Sequence, residues 1–152
     1  MFIVILLKKQ NKNHKKQIIM VQQKSILFVL DRGLHDLPKI KKLLSDKEFI
    51  LRPKMIRETT FSRLDLPEIF GKPIDQFSRT SINVLTGYPT KVFLLEKENA
   101  VRDLKDFVGP NDTVKAPIGT LSKMFGEYTV ACPDSDEQAK KLIKLFYPEI
   151  NI

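Results

Sequence analysis

The sequence is poor in cysteine and in long apolar runs, and each shortage excludes a class of protein. A single cysteine among 152 residues excludes an internal disulfide framework and a structural zinc site built on cysteines. No apolar run approaches the roughly 20 residues that a membrane-spanning helix needs, so the sequence predicts no membrane span. The apolar content of 42%, in a chain of one domain's length, is typical of a globular core.

Positive charge is concentrated at the start of the chain. Residues 1–24 hold six lysines and no acidic residue, whereas residues 25–152 hold 20 basic and 18 acidic groups. We therefore predict a flexible basic N-terminal arm, residues 1–22, followed by one folded domain, residues 23–152. Such an arm is either a solvated segment or a contact for nucleic acid, acidic lipid or the acidic surface of a filament.

The spacing of apolar residues predicts alternating strands and helices in the domain. Short apolar runs predict four strands, at residues 25–30, 49–56, 91–96 and 127–131. Helical periodicity predicts helices at residues 37–44, in two short pieces within 61–86, at 98–109 and from Ser135 to Phe146. Ser135 and Gln138 predict a capping box at the start of the last helix. This order predicts an α+β fold, a four-stranded antiparallel sheet covered by helices.

The stretch from Gly109 to Pro148 resembles part of a known enzyme family. It contains a loop glycine, a G-T-hydrophobic segment, an F-G pair, a D-S-x-E-x-A segment and a terminal F-Y-P-E, at Gly109, Gly119–Leu121, Phe125–Gly126, Asp134–Ala139 and Phe146–Glu149. In order and in most of its spacing, this stretch is similar to the C-terminal half of the nucleoside diphosphate kinases. The resemblance implies their ferredoxin-like βαββαβ fold.

The same resemblance implies that catalytic residues are lost. Family members pass a phosphoryl group through a phosphohistidine, because a neutral imidazole nitrogen is nucleophilic near pH 7. The matching position here is Ala131, so the resemblance implies no catalytic residue and a protein that is not an enzyme. The family's phosphate-binding lysine and one of its arginines match Leu30 and Ser122, which carry no charge. Cys132 is the nearest nucleophile, and a lone unactivated cysteine is more often a buried apolar residue.

Other matching positions keep parts of a nucleotide pocket. Lys105 matches a family arginine, Asn111 matches a threonine that contacts phosphate, and Gly119 keeps a turn of the loop. These three are the candidate nucleotide-binding residues. Each also has a structural explanation, since Lys105 suits a solvated helix surface and a glycine can simply let the backbone turn.

Three functions follow from the residues and the resemblance. The first is a catalytically inactive structural module of a large protein assembly, because divergent family members recur in ciliary and flagellar axonemes. It implies axonemal or microtubule-associated partners and a location in the cilium, the flagellum or the cytoplasm. The second is a nucleotide sensor that does not transfer phosphate, its base stacked on Phe61, Phe70 or Phe77. The third is residual phosphotransfer, or contact of the arm with nucleic acid.

The ligand expectations follow the same alternatives. The structural module implies no resident cofactor and no metal, whereas ATP or GTP with Mg²⁺ is the ligand of the nucleotide sensor. No specific nucleic-acid partner is expected, because the folded part shows no platform of interleaved aromatic and basic residues.

Overall fold

The structure is a computed structural model that describes residues 2–6 and 19–151. Its strands are β1 (Phe2–Leu6), β2 (Ile19–Val29), β3 (Ile50–Leu51), β4 (Arg57–Thr60), β5 (Pro89–Lys97) and β6 (Val130–Ala131). Its α-helices are α1 (Leu37–Asp46), α2 (Leu66–Phe70), α3 (Arg79–Leu85), α4 (Ala100–Val108), α5 (Leu121–Phe125) and α6 (Asp136–Phe146). Within the described residues, no helix is long and apolar enough to cross a membrane.

Strand β2 is the centre of the sheet. Strand β5 runs antiparallel along one edge of β2, while β1 and β6 share the other edge. Strands β3 and β4 pair antiparallel with β5. The order β6, β2, β5 and then β3 with β4, with α1 and α4 as the connecting helices, is the ferredoxin-like βαββαβ topology. The predicted α+β, ferredoxin-like fold is therefore confirmed, but the sheet of the described residues has six strands and not the predicted four, because the second predicted strand is divided and β1 adds a further strand.

Helices bury both faces of the sheet, which explains the continuous apolar run in β2. Ile26 and Phe28 face a layer that contains α2, α3 and α6, whereas Leu27 and Val29 face a layer that contains α1, α4 and α5. Successive side chains of a strand point to opposite faces, so a strand covered on both sides is apolar at every position. All four of these side chains are at most 1% exposed.

Proline divides the second predicted strand into two pieces. Strand β3 ends at Leu51, a 3-10 turn occupies Pro53–Met55, and β4 begins at Arg57. Proline has no amide hydrogen to donate to a neighbouring strand, so the ladder is interrupted there. The predicted fourth strand is also shorter, because Tyr128 has a φ of +56°, which is not an extended conformation.

Two helix starts differ from the sequence prediction in detail. The Ser135 hydroxyl accepts a hydrogen bond from the Gln138 amide at 3.1 Å, as predicted, but the Gln138 side chain accepts from the Asp134 amide. In an ordinary capping box the Gln138 side chain would accept from the amide of Ser135. Here it accepts from the amide of Asp134, one residue earlier. Helix α5 has no counterpart in the apolar pattern, and it begins where the Thr120 hydroxyl accepts from the Lys123 amide.

The structure describes two parts of the predicted N-terminal arm, and both are strand. Strand β1 pairs with residues 19–23, so the sheet already includes residues before the predicted domain boundary. Residues 7–18 lie outside the described residues. Flexibility of the arm and a domain boundary at residue 23 stay predictions.

A buried ion pair joins β2 to β5. The Lys24 ammonium lies 3.1 Å from one oxygen of Glu96, and the Arg52 Nε donates to the other oxygen at 2.9 Å. Lys24 and Glu96 are opposite each other in the ladder, and their side chains are only 7% and 10% exposed. Burial raises the pKa of Glu96, but the hydrogen bonds from Arg52 and Lys24 outweigh it and hold the pKa below its ordinary value.

Glu96→Gln is expected to lower the free energy of unfolding by about 3 kcal/mol at neutral pH, because the buried Lys24 ammonium loses its counter-charge. The folded state lowers the pKa of Glu96, so the carboxylate contributes stability above its ordinary value of 4.5 and loses it as the pH falls through the folded-state pKa. Urea unfolding at neutral and at acidic pH measures both effects. The difference between wild type and variant should shrink in acid.

The exposed Glu98 supplies the matched control for this prediction. Glu98→Gln should change the free energy of unfolding by no more than about 0.5 kcal/mol, as is usual for surface substitutions. A Glu96→Gln loss that is equally large at both pH values would contradict the ion-pair explanation.

Candidate functional site

A cavity of about 750 Å³ opens beside the ends of β2 and β6. One wall is the connection between α2 and α3 with part of α3, a second is the end of α4 with the loop that follows, and a third is the segment around β6. Its polar lining consists of Lys72, Ser81, Lys105, Asp106, Asn111, Ser122, Tyr128 and Asp134. The volume and the mixture of apolar walls with a few polar groups are typical of a small-molecule site.

Tyr128 ties two walls of this cavity together. Its backbone amide donates to the side-chain oxygen of Asn111 at 2.7 Å, and its hydroxyl lies 2.6 Å from the hydroxyl of Ser81 on α3. The Arg32 guanidinium lies 5.8 Å from the centre of the Tyr128 ring. A φ of +56° is uncommon for a bulky residue, so these contacts hold the backbone in a conformation that it would otherwise avoid.

Two of the three candidate nucleotide-binding residues line the cavity. Lys105, on the last turn of α4, lies 3.5 Å from an oxygen of Asp134. Asn111 uses its side-chain oxygen to accept from Tyr128, which leaves its NH₂ group to donate to a ligand. Gly119 does not line the cavity, and no atom lies within 4 Å of the place where its Cβ would stand. Nucleotide contacts at these three residues stay predictions.

Gly109 shapes the turn that carries Asn111 to the cavity. Its φ of 73° and ψ of 175° fall in a backbone region that is essentially restricted to glycine. A Cβ at this position would lie 2.8 Å from the Cβ of Thr120, closer than van der Waals contact allows. The loop therefore needs glycine here for two separate reasons.

An aromatic wall faces the cavity between α2 and α3. The rings of Phe70 and Phe77 meet edge to face with centroids 5.9 Å apart, and both residues line the cavity. The Lys72 ammonium lies 4.5 Å from the centroid of Phe77. Phe61, the third stacking candidate, is 2% exposed and packs in the core against Phe28, so it does not line this cavity.

The apolar pattern of the sequence did not identify Lys72 or Ser81 as site residues. Lys72 lies in a Gly-Lys-Pro segment whose clearest signal is a break between two helices. In the sequence Ser81 is an ordinary polar residue of a short helix. Only its contact with Tyr128 in the structure connects it to the site. A cation held in a rigid turn between two aromatic residues is the one signal that could have identified Lys72.

The residues around position 131 offer no nucleophile at neutral pH. Ala131 lines the cavity and pairs with Phe28 in the sheet. Cys132 also lines the cavity, but burial raises the pKa of its thiol to about 12, so the thiol stays protonated. The His35 side chain is 79% exposed beside Asp36 and does not line the cavity. His14 lies outside the described residues.

Comparison with solved structures agrees with this fold. Nucleoside diphosphate kinases from Aquifex aeolicus and Encephalitozoon cuniculi match with TM-scores of 0.66 and 0.70, at 18% and 16% sequence identity. Each alignment covers 82% of this chain, with 94% and 88% of the respective solved chains. The profile of the nucleoside diphosphate kinase family matches residues 39–152. This chain belongs to that family.

Curated relatives support the same family assignment over 107 residues. A protein from Anaeromyxobacter sp. (strain K) is 31% identical over 107 residues, which cover 67% of this chain and 73% of that protein. A protein from Anaeromyxobacter sp. (strain Fw109-5) is 34% identical over a stretch of the same length. Both are named nucleoside diphosphate kinase.

These relatives overturn the expectation that the chain is not an enzyme. That expectation took a few pocket positions, above all Ala131, as decisive for the whole chain. The similarity to nucleoside diphosphate kinases instead runs through two thirds of the sequence, and it points to an enzyme. The expected absence of activity is therefore withdrawn.

Proposed function

We propose that this chain binds a nucleoside di- or triphosphate in the cavity and transfers a terminal phosphoryl group. One observation carries the proposal: a single cavity of about 750 Å³ has an aromatic wall at Phe70 and Phe77, Lys105 on the last turn of α4 and Asn111 in the loop that follows. Aromatic rings stack on nucleobases, whereas ammonium and amide groups donate to phosphate oxygens. The names of the curated relatives support the same class of substrate.

In this proposal Ala131 stands where the family has its histidine, as the sequence resemblance implies. Transfer then occurs without a phosphorylated side chain. A terminal phosphate oxygen of an acceptor nucleoside diphosphate attacks the γ-phosphorus of the bound triphosphate, the bond to the bridging oxygen breaks, and the donor leaves as a nucleoside diphosphate. If water is the acceptor instead, its proton passes to solvent and inorganic phosphate is released. Lys105 would offset the negative charge of the phosphates, and Cys132 would remain a neutral thiol at the cavity wall.

Magnesium would arrive with the nucleotide in this scheme. Among residues 2–6 and 19–151, no group of three or more histidine, cysteine, aspartate or glutamate side chains could hold a metal ion. Mg²⁺ commonly binds through substrate phosphates with few protein ligands, so a site of this kind is compatible with a metal–nucleotide complex.

Incubation with γ-³²P-labelled ATP, GDP and Mg²⁺ tests the proposal. We expect labelled GTP or labelled inorganic phosphate above the protein-free background, and no acid-labile label on the protein. Lys105→Met should weaken nucleotide binding about tenfold, because a hydrogen bond to a charged group is lost. Lys39→Met, on the exposed surface of α1, is the matched control and should bind as the wild type does.

Each remaining outcome overturns a defined part of the proposal. If calorimetry detects no binding at millimolar nucleotide with Mg²⁺, the cavity is not a nucleotide site. Binding without any labelled product would refute the transfer step. Acid-labile label on the protein would refute direct transfer and would show that a side chain carries the phosphoryl group.

A place in a ciliary or flagellar assembly stays a prediction based on the sequence resemblance. Its partners would be axonemal or microtubule-associated proteins, and its location the cilium, the flagellum or the cytoplasm. Recovery of axonemal proteins with the tagged chain at physiological salt would support this prediction. Recovery of the chain without such proteins would count against it.

A further inference from the structure

Lys105 and Asp134 form an ion pair that joins two walls of the cavity. Lys105 lies on the last turn of α4, Asp134 lies between β6 and α6, and both residues line the cavity. The Lys105 ammonium is 3.5 Å from one carboxylate oxygen of Asp134. The ammonium that the proposed function assigns to phosphate is therefore already matched with a carboxylate of the protein.

The electrostatics of Cys132 place this ion pair beside the segment around β6. Burial is the main cause of the raised pKa of the Cys132 thiol, and the negative charge of Asp134 raises that pKa further. The positive charge of Lys105 lowers it. Since interactions between charges weaken with distance, both charged groups lie close to the cavity wall that contains Ala131 and Cys132.

The ion pair is exposed enough for a ligand to separate it. The side chains of Lys105 and Asp134 are 52% and 69% exposed, and ion pairs in such contact with water add little to stability. Within residues 2–6 and 19–151, neither side chain takes part in a second ion pair. An anion that enters the cavity can therefore replace the Asp134 carboxylate at Lys105.

We propose that Asp134 competes with the phosphate groups of a nucleotide for Lys105 and so limits the affinity of the cavity for phosphorylated ligands. This inference rests on the proposed function, because it requires a nucleotide whose phosphates reach Lys105. Such a phosphate must displace the Asp134 carboxylate, and it then lies near a like charge. A nucleoside brings no negative charge and leaves the ion pair intact.

Calorimetric titration of Asp134→Asn with ADP and with adenosine tests this competition. Without Mg²⁺, the variant is expected to bind ADP about threefold to fivefold more tightly than the wild type, within the range of an exposed ion pair. The affinity for adenosine should stay unchanged, because adenosine carries no phosphate. Asparagine nearly keeps the size of the side chain, and the amide of residue 134 can still donate to Gln138. Circular dichroism of the variant checks that the fold is retained.

Two further variants separate competition for Lys105 from a general effect of charge. Glu137→Gln removes one negative charge from the first turn of α6, at an exposed residue that does not line the cavity, and should bind ADP as the wild type does. In a Lys105→Met background there is no ammonium to compete for. Asp134→Asn should then change the affinity for ADP less than about twofold, which a double-mutant cycle measures.

The outcomes distinguish this inference from the proposed function. Unchanged or weaker binding of ADP by Asp134→Asn would overturn the competition and leave nucleotide binding intact. A gain of equal size in Glu137→Gln, or in the Lys105→Met background, would overturn it as well, because net charge would then be the cause. Failure of both the wild type and Asp134→Asn to bind ADP would overturn the proposed function and, with it, this inference.

Discussion

Tyr147→Ala is expected to lower the free energy of unfolding by about 3–5 kcal/mol, in the range for removing a large buried aromatic side chain. Tyr147 follows α6 directly and is 0% exposed. Its hydroxyl donates to the Met55 carbonyl at 2.5 Å and lies 3.2 Å from the Val92 carbonyl. The side chain therefore links the end of α6 to the connection before β4 and to β5.

Arg57 covers the outer side of the same ring. Its guanidinium carbon lies 4.4 Å from the centre of the Tyr147 ring, and the guanidinium also contacts the Glu149 carboxylate and the Phe146 carbonyl. Removing the ring would leave a cavity and would deprive Arg57 of its stacking partner. Because both losses fall at one place, truncation of Tyr147 should weaken the attachment of α6 to the sheet.

Chemical denaturation of Tyr147→Ala and Tyr147→Phe separates the ring from its hydroxyl. Tyr147→Phe should lose only about 1–3 kcal/mol, because the ring remains and the two carbonyls lose a donor. Burial raises the pKa of Tyr147 to about 12, so the hydroxyl stays protonated at any ordinary assay pH. Tyr88→Ala, at a residue that is 51% exposed, is the control for losing a tyrosine. Equal losses from Tyr147→Ala and Tyr88→Ala would contradict this role of the buried ring.

Gly109→Ala is expected to lower the free energy of unfolding by about 3 kcal/mol or more. Backbone strain at a glycine-only conformation accounts for about 1–3 kcal/mol. The contact of 2.8 Å between the new Cβ and the Cβ of Thr120 adds to it, because that neighbour is the branched carbon of a helix-capping residue. The loop must shift, and Asn111 would shift with it.

Gly126→Ala is the matched control for this prediction. Gly126 has a φ of 102° and a ψ of 174°, the same backbone region as Gly109, but no atom lies within 4 Å of the place where its Cβ would stand. It should therefore show the strain of about 1–3 kcal/mol without the contact. The additional loss of stability in Gly109→Ala measures the contact with Thr120. The nucleotide affinity of Gly109→Ala should fall, whereas that of Gly126→Ala should equal the wild-type value. Equal losses of stability in the two variants would contradict the contact.

The fold could be predicted because its signals are local. The apolar residues of β2 continue without a polar break, since both faces of that strand are buried. Ser135 and an apolar stripe indicate helix α6, and the proline at position 53 marks the break in the second strand. Each of these signals depends on a few neighbouring residues, which is why most of the order of elements followed from the sequence, although β1 and α5 did not.

The site depends on contacts between distant parts of the chain. Tyr128 acquires its conformation from Asn111 and Ser81, which lie 17 and 47 positions away. Lys72, in the break between two helices, lines the same cavity as Lys105, which lies 33 positions away. No spacing rule links such residues. The sequence resemblance places the family's histidine at Ala131, but the inference of an inactive protein was wrong, because relatives similar over about two thirds of the chain are named nucleoside diphosphate kinase.

Phosphoryl transfer requires that the cavity between α3, α4 and β6 holds a nucleotide. Titration of ¹⁵N-labelled protein with GDP and Mg²⁺, followed by heteronuclear NMR, detects such binding residue by residue. We expect saturable shifts of the amide signals of Lys72, Lys105, Asn111 and Tyr128. Unchanged spectra at millimolar GDP, or shifts centred instead on the small acidic cleft beside Asp65 and Glu68, would contradict binding in this cavity.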